Sequence, residues 1–518
     1  MRLIPDTRGG MLWRFLAVAI IVIGGTAATT AVAGLLQVQN LVNDISVGAV
    51  IPKAPIKIAY TGQPQTILVV GSDHRAGESF RLANTDTMML VRLDQNSKTI
   101  NVLSIPRDLE VDIPGFGINK INAAYSLGGT PLMVKTIQTD VFPQLKVNHI
   151  VDVNFHGFAA LVDAIGCVYS DIDHRYYNNT ALTDYSSIDI QPGYQKLCGT
   201  DALAFVRFRH TDSDLVRNAR QQDFIRWAKD QYGIGNLIAN RDKLVRIFGA
   251  NTEVDKDLRS EDGLLNLFQL VALSAGHTIK QIKFPVSFTP CGGGTPAVPG
   301  VAAATGGTPC YDTSTPEQET GVFTQFMKPT TAAQATASKA KATSSGRRRS
   351  RGGSGINPAG LTADLPDGRS QAAQLAKVKM PIYYPRLIKT GSQYCLGLIA
   401  NCPLEQASPG SYPRGYVIHD QKGVAHAAYR MTVVLNSLLG QYYGVQGTTW
   451  TSPPLLANPT ETKTVAGHKL LLFANGSKLT TVAWKTSGAV YWISNTLDSV
   501  IPNSQMVGMA ASLILAGH

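Results

Sequence analysis

The chain has 518 residues, 44% of them hydrophobic and 8% aromatic, which is enough to bury a core and more length than one ordinary core uses; two folded units and a linker are expected. Lys and Arg number 47 against 36 Asp and Glu, a formal charge of +11 that suits an anionic partner: nucleic acid, phospholipid head groups or a phosphate-bearing substrate. No zinc-finger spacing, RNA-binding aromatic motif or basic heptad region is present, which argues against nucleic acid.

Arg2, Arg8 and Arg14 precede residues 15–36, a run with no charged residue that is long enough to cross a hydrocarbon core of about 30 Å. With only Asp6 opposing them, these arginines place residues 1–14 in the cytoplasm and the rest of the chain outside, in a single-pass arrangement at the cell membrane. The competing reading is a signal peptide cleaved at Ala31-Val32-Ala33, but apolarity persists through Leu35 and Leu36, so an uncleaved anchor is expected. Residues 37–65 read as a stalk broken by Pro52, Pro55 and Pro64.

From there strands and helices alternate, which predicts a layered α/β unit over 66–291. Residues 66–70 form an apolar run ending in glycine, and 87–93 and 99–105 read as paired neighbours across a polar turn. Thr130-Pro131 is a helix start by its cap hydroxyl and following proline. A strand at 149–155 leads into a helix carrying Phe158, Leu161, Val162 and Ile165 on one face and ended by Gly166; helices at 222–232 and 264–274 complete an outer layer.

Residues 292–375 collapse into Gly, Ala, Thr, Ser and Pro around Arg347-Arg348-Arg349-Ser350-Arg351, and read as unstructured linker. Folding resumes in a small α+β unit over 376–518, where Asn475-Gly476 forms the turn of a hairpin; it reads as a binding or positioning module. Six cysteines fall in three local pairs, Cys167 with Cys198, Cys291 with Cys310 and Cys395 with Cys402, none with zinc or thioredoxin spacing, so disulfides in an oxidising compartment are expected.

The chemistry-bearing residues gather at the ends of these elements. Asp73 follows a strand and a glycine, and Asp86 opens a second strand, so two carboxylates converge where α/β sheets place their sites. With phosphate oxygens and water they satisfy the oxygen preference of magnesium, with manganese as the alternative ion. Arg107 stands behind Pro106 at a third strand end. Arg207 and Arg209, two apart, point the same way in extended backbone; after Asp214, a plausible cap, Arg217, Arg220 and Gln221 share a helix face. Together these donors make a phosphate clamp.

In order and wording, Ile67 to Asp73, Asn84 to Val91, Ser104-Ile105-Pro106-Arg107-Asp108, Lys120 to Ser126, Ala202 to Arg209 and Asp214 to Gln221 resemble the LytR-CpsA-Psr family over about residues 60–290. The resemblance implies an α/β/α core with a central mixed sheet, and an enzyme that moves a glycopolymer from a polyprenyl diphosphate carrier onto a peptidoglycan hydroxyl through a phosphodiester. It further implies Asp73 and Asp86 as metal-binding acids, Arg107, Lys120, Arg207, Arg209, Arg217 and Gln221 as diphosphate contacts, and Asp214 as an acid of the same motif. The family also holds the carrier's tail in an apolar tunnel, for which Leu132, Ile137, Phe155, Phe158 and Leu161 are candidates, although their spacing is also that of ordinary core. Asn84 stands where the family has an arginine, and Arg81 or Arg75 is the available replacement. Two other functions fit the same residues: a pyrophosphatase that uses water as acceptor, and a non-catalytic binder of wall polymer. The polymer itself, arabinogalactan, teichoic acid or capsule, leaves no motif.

Overall fold

In the computed structural model the described residues are 50–51, 55–60, 62–73, 83, 85–179, 187–208, 214–232, 241–274, 276–288, 311–344, 359–395, 402, 411–437 and 439–517. The expected span at 15–36 lies outside them, as do Arg75, Arg81, Asn84, Arg209, Cys291, Cys310 and the arginine run at 347–351. Among the described residues no helix is long and apolar enough to cross a membrane.

A six-stranded mixed sheet forms the centre of the first half. Its strands are β1 (Gln65–Ser72), β2 (Thr85–Leu93), β3 (Thr99–Ser104), β6 (His149–Asn154), β9 (Thr252–Val254) and β10 (Thr278–Ile282), in the spatial order β9-β6-β1-β2-β3-β10. β1 runs parallel to β6, and β3 parallel to β10, while the other neighbours are antiparallel. Side chains alternate along β1, so its unbroken apolar run serves two layers. Leu68 and Val70 join Met88, Leu90 and Leu103 against helix α1 (Ala123–Thr136), whereas Ile67 and Val69 meet Val151, Leu264 and Leu270 on the other face, where helix α5 (Glu261–Ser274) packs. The expected α/β/α layering is therefore present.

Between these elements lie a hairpin of β4 (Glu110–Ile113) and β5 (Gly117–Lys120), helix α2 (Phe155–Ala164), a paired β7 (Val168–Ile172) and β8 (Gly193–Leu197), helix α3 (Gly199–Arg207) and the long helix α4 (Asp214–Tyr232). α1 breaks at Gly128 and Gly129, whose φ is +66°, and resumes at Thr130-Pro131 as expected. The Thr130 hydroxyl does not cap it, however. It donates 3.2 Å to Asp152, a buried carboxylate in β6 that also accepts 2.7 Å bonds from Ser72 and Tyr125. Burial pushes Asp152 up to about 6 against the pull of these three donors.

Two of the expectations need correction. The segment 292–375 is not linker throughout, because it contains helices α6 (Pro316–Met327) and α7 (Ala332–Ser344). α6 opens with a capping box between Thr315 and Gln318 and Pro316 at its first turn, and it buries Val322 and Phe326 in the same apolar cluster as α1. An i, i+4 pair of apolar anchors suffices to dock a helix whose outward residues are small and polar, which is why composition hid it. The hairpin turn of the second half is also displaced by one residue: Asn475 pairs with Lys478, so Gly476-Ser477 is the loop, with Gly476 at φ +59°. A register shift lies between Phe473 and Ala474, just before the turn.

That hairpin belongs to an eight-stranded antiparallel sheet built from β11 (Gln393–Tyr394), β12 (Arg414–His419), β13 (Ala425–Asn436), β14 (Gln441–Thr448), β15 (Glu461–Val465), β16 (His468–Asn475), β17 (Lys478–Lys485) and β18 (Val490–Ser494), covered on one face by α8 (Asn503–Ala511). It meets the first half through a buried polar joint: the Asp171 carboxylate on β7 accepts from the Arg430 guanidinium at 3.1 Å and from the Trp492 indole at 3.2 Å. Tyr169, Tyr194, Trp450 and Trp492 surround the joint with an apolar cluster.

Cys167 is bonded to Cys198 and Cys395 to Cys402. The first bridge closes a loop of 31 residues. Replacing Cys167 and Cys198 together by serine is expected to lower unfolding stability in urea by about 3 to 4 kcal/mol, on the chain-entropy account. A loss of less than about 1 kcal/mol contradicts a structural bridge here.

Candidate functional site

Asp86 is the residue around which the site is assembled. Gly71 pairs with Thr87 and Ser72 with Thr85, so Asp86 is the extra residue of a β-bulge. A bulge re-aims its unpaired side chain, and this one lies at the end of β1 from which Asp73 emerges, so both acids sit at one end of adjacent strands. Each oxygen of Asp86 has an arginine: Arg107 Nη1 donates at 2.7 Å to Oδ1, and Arg207 Nε donates at 3.1 Å to Oδ2. Burial opposes the charge on this carboxylate, but the positive charges of Arg217, Arg207 and Arg107 outweigh it and hold the group below its usual range.

Each arginine is brought in by a different element. Arg107 follows the turn after β3, and its carbonyl accepts from Asn122 N at 3.2 Å, which ties that turn to the end of β5. Its contact with the adjacent Asp108 is longer, 3.8 Å, because Asp108 is engaged by Lys120 Nζ at 2.9 Å. Asp108 thereby holds Lys120 beside the arginines. Arg207 does not lie on extended backbone as expected. It ends α3, where Ala202, Phe205 and Val206 are buried at helical spacing, so the alternation argument joining it to Arg209 does not hold. Its guanidinium carbon sits 3.7 Å from the centre of the Phe155 ring, a cation–π contact that no motif announced.

The α4 residues divide. Arg217 is almost fully buried and faces Asp86 electrostatically. Gln221, one turn on, donates through Nε2 to Thr87 Oγ1 at 2.8 Å and to the Val206 carbonyl at 3.2 Å, which fixes α4 to β2 and α3. No donor reaches its buried Oε1 among the described residues. Arg220 departs from the expected clamp. It is wholly buried, donates to the carbonyls of Phe205 and Phe208 at 3.0 and 2.7 Å, and lies 4.5 Å from the Tyr176 ring centre. These carbonyls are the unsatisfied end of α3, so Arg220 is a cap in an aromatic cage and not a substrate contact. Asp214 is the first residue of α4. Arg209 and Arg81 lie outside the described residues.

Four of the five candidate tunnel residues divide among separate packing groups. Leu132 and Ile137 pack in the cluster below α1, and Phe158 in a separate cluster with Phe224 5.8 Å away, while Phe155 serves Arg207.

The donor set suits a hard cation. Among the described site residues Lys120, Arg107, Arg207 and Arg217 stand against Asp73, Asp86 and Asp108, a surplus of one positive charge where a diphosphate diester brings two negative ones. Each Asp86 oxygen accepts from one arginine, and a carboxylate oxygen has a second lone pair for a cation.

A family model described as the LytR_cpsA_psr family matches residues 38–301. The chain is 34% identical over 207 residues to the polyisoprenyl-teichoic acid–peptidoglycan teichoic acid transferase TagU of Oceanobacillus iheyensis, covering 38% of this chain and 61% of that one. It is 32% identical over 202 residues to the transferase of the same description, TagT, of Bacillus subtilis, covering 38% and 62%. The matched stretch thus spans about six tenths of these relatives' length. The crystal structure of B. subtilis TagT is similar at 23% identity and a TM-score of 0.38, over 54% of this chain and 97% of that one.

Asp86 has a folded pKa below its unfolded value, so the stability it contributes is full above the ordinary carboxylate range near 4 and is lost as pH falls through the folded value. Asp86→Asn is therefore expected to cost about 2 kcal/mol at pH 7, since it leaves three arginines without their common anion. In denaturant titrations across pH, this gap to wild type should close below about pH 4. A gap independent of pH contradicts the assignment.

Proposed function

Because the chain belongs to the LytR-CpsA-Psr family, we propose that it is a membrane-anchored, extracytoplasmic phosphotransferase that moves a glycopolymer from a polyprenyl diphosphate carrier onto a hydroxyl of peptidoglycan. The observation that carries the reading is the convergence of Arg107 and Arg207 on the two oxygens of Asp86, with Arg217 behind and Lys120 beside them. Cations collected from three elements onto one carboxylate are poised to accept a second, larger anion.

In the proposed reaction the acceptor hydroxyl oxygen attacks the glycan-side phosphorus of the diphosphate. The new oxygen–phosphorus bond makes a phosphodiester, the bridging P–O bond breaks, polyprenyl monophosphate leaves with its electron pair, and the hydroxyl proton passes to solvent. Arg107 and Arg207 hold the non-bridging oxygens, and Asp86 fixes both guanidinium groups before substrate arrives, so little reorganisation accompanies the reaction. Phe155 limits the movement of Arg207, and Asp108 keeps Lys120 within reach of the leaving phosphate. Asp73 and Asp86 are the residues that would hold magnesium, which when bound supplies charge neutralisation at the diphosphate. Arabinogalactan and teichoic acid are both donors of suitable chemistry.

Two substitutions of opposite sign test this. Arg107→Ala is expected to weaken binding of a lipid diphosphate by about 1.5 to 3 kcal/mol and to lower transfer with it. Asp73→Asn should abolish magnesium-dependent transfer yet preserve or tighten lipid diphosphate binding in chelator, because it removes a negative charge facing the phosphates. Wild-type transfer by Asp73→Asn at equal fold stability contradicts the metal-assisted reading.

A further inference from the structure

The edge strand β10 of the central sheet meets the β16–β17 hairpin of the C-terminal sheet, where the Asn475 amide donates to Gln281 Oε1. Two cavities, of 390 and 640 Å³, lie along this seam. Lys280, Asn475, Gly476 and Ser477 line both, so they are two reaches of one cleft. The first reach begins at Ser104, Leu215 and Val216, directly before Arg217, and the second extends to Gln231 at the far end of α4. At 1.5 Å per residue the cleft follows α4 for about 24 Å, from Leu215 to Gln231. That is room for several sugar rings in a row.

Its chemistry narrows the ligand. Amides and hydroxyls interrupt walls that are more apolar than polar, the mixture that the edges and faces of sugar rings can meet, and the charges along the cleft are chiefly lysines. Lys283 is matched by Asp498 at 3.5 Å, but Lys280, half-buried and shared by both reaches, has no carboxylate partner among the described residues. Burial and then the neighbouring Lys328 ammonium depress its basicity. A partly desolvated ammonium beside a second one leaves a place for an anion.

We propose that this cleft is the acceptor site, and that it binds a linear glycan strand whose carboxylate groups meet Lys280 and Lys328 while its free hydroxyl reaches the diphosphate past Ser104. The assignment rests on the transferase reading above and gives the C-terminal sheet its role, as one wall of the acceptor channel.

The test titrates the full-length protein with soluble peptidoglycan glycan strands, with the same strands after amidation of their carboxylates, with neutral donor-type glycopolymer, and separately with lipid diphosphate in chelator. Lys280→Glu and the surface variant Lys328→Glu should each weaken strand binding about tenfold or more and leave lipid diphosphate affinity within about twofold, and amidated strands should bind wild type about tenfold more weakly. Lys328 is exposed, so its replacement tests the cleft even where Lys280→Glu perturbs folding. No strand binding by wild type, unchanged affinity in both variants, equal affinity for amidated strands, or a preference for the neutral glycopolymer overturns the proposal. Loss of lipid diphosphate binding by wild type instead overturns the transferase reading, whatever the strands do.

Discussion

Three guanidinium groups cannot be held together at the end of a sheet without an anion, and in this protein Asp86 is that anion. At a few ångströms two like charges repel by several kcal/mol in a partly buried setting, so the carboxylate is what allows α3, α4 and the β3 turn to bring their arginines to one place. The same carboxylate is too small to neutralise them. A net positive charge is thereby left over for the phosphates of the proposed substrate.

The surrounding fold reads as a means of fixing that carboxylate. The bulge between β1 and β2 turns Asp86 out of the ladder, and Gln221 ties Val206, the last residue but one of α3, and Thr87 to the same helix that carries Arg217. Arg220, a charged residue spent entirely on the end of α3, keeps Arg207 at the correct height. Asp152, directly behind Ser72, secures the end of β1 that precedes Asp73 by gathering three hydroxyls from β1 and α1. Buried polar groups of this kind cost desolvation, which the bonds they do make offset.

Much of this was legible in the sequence, for identifiable reasons. The buried strand at β1, the β2–β3 pair, the α2 helix ended by Gly166 and the restart of α1 at Thr130-Pro131 all carry local signals that tertiary context did not override. Asp86, Arg107, Lys120, Arg207, Arg217 and Gln221 were named from strand ends and motif wording, and the structure brings them into one neighbourhood. What failed depended on three-dimensional direction. Arg217 and Arg220 are three apart on one helix, yet one faces the site and the other an aromatic cage, a distinction that spacing does not make. The short run before Arg207 fits strand and helix alike, and the helices within 292–375 are concealed by composition.

The central claim is that the arginine-bound site breaks a diphosphate and retains one phosphorus in a new bond to an acceptor. The most direct measurement incubates the full-length protein with a polyprenyl diphosphate glycan isotopically labelled at the glycan-side phosphorus, with peptidoglycan present or absent. The account predicts label in peptidoglycan as a phosphodiester, in step with polyprenyl monophosphate, and only when acceptor is supplied. Label released as a water-soluble phosphomonoester at the same rate with and without peptidoglycan contradicts it, and makes the site that of a hydrolase.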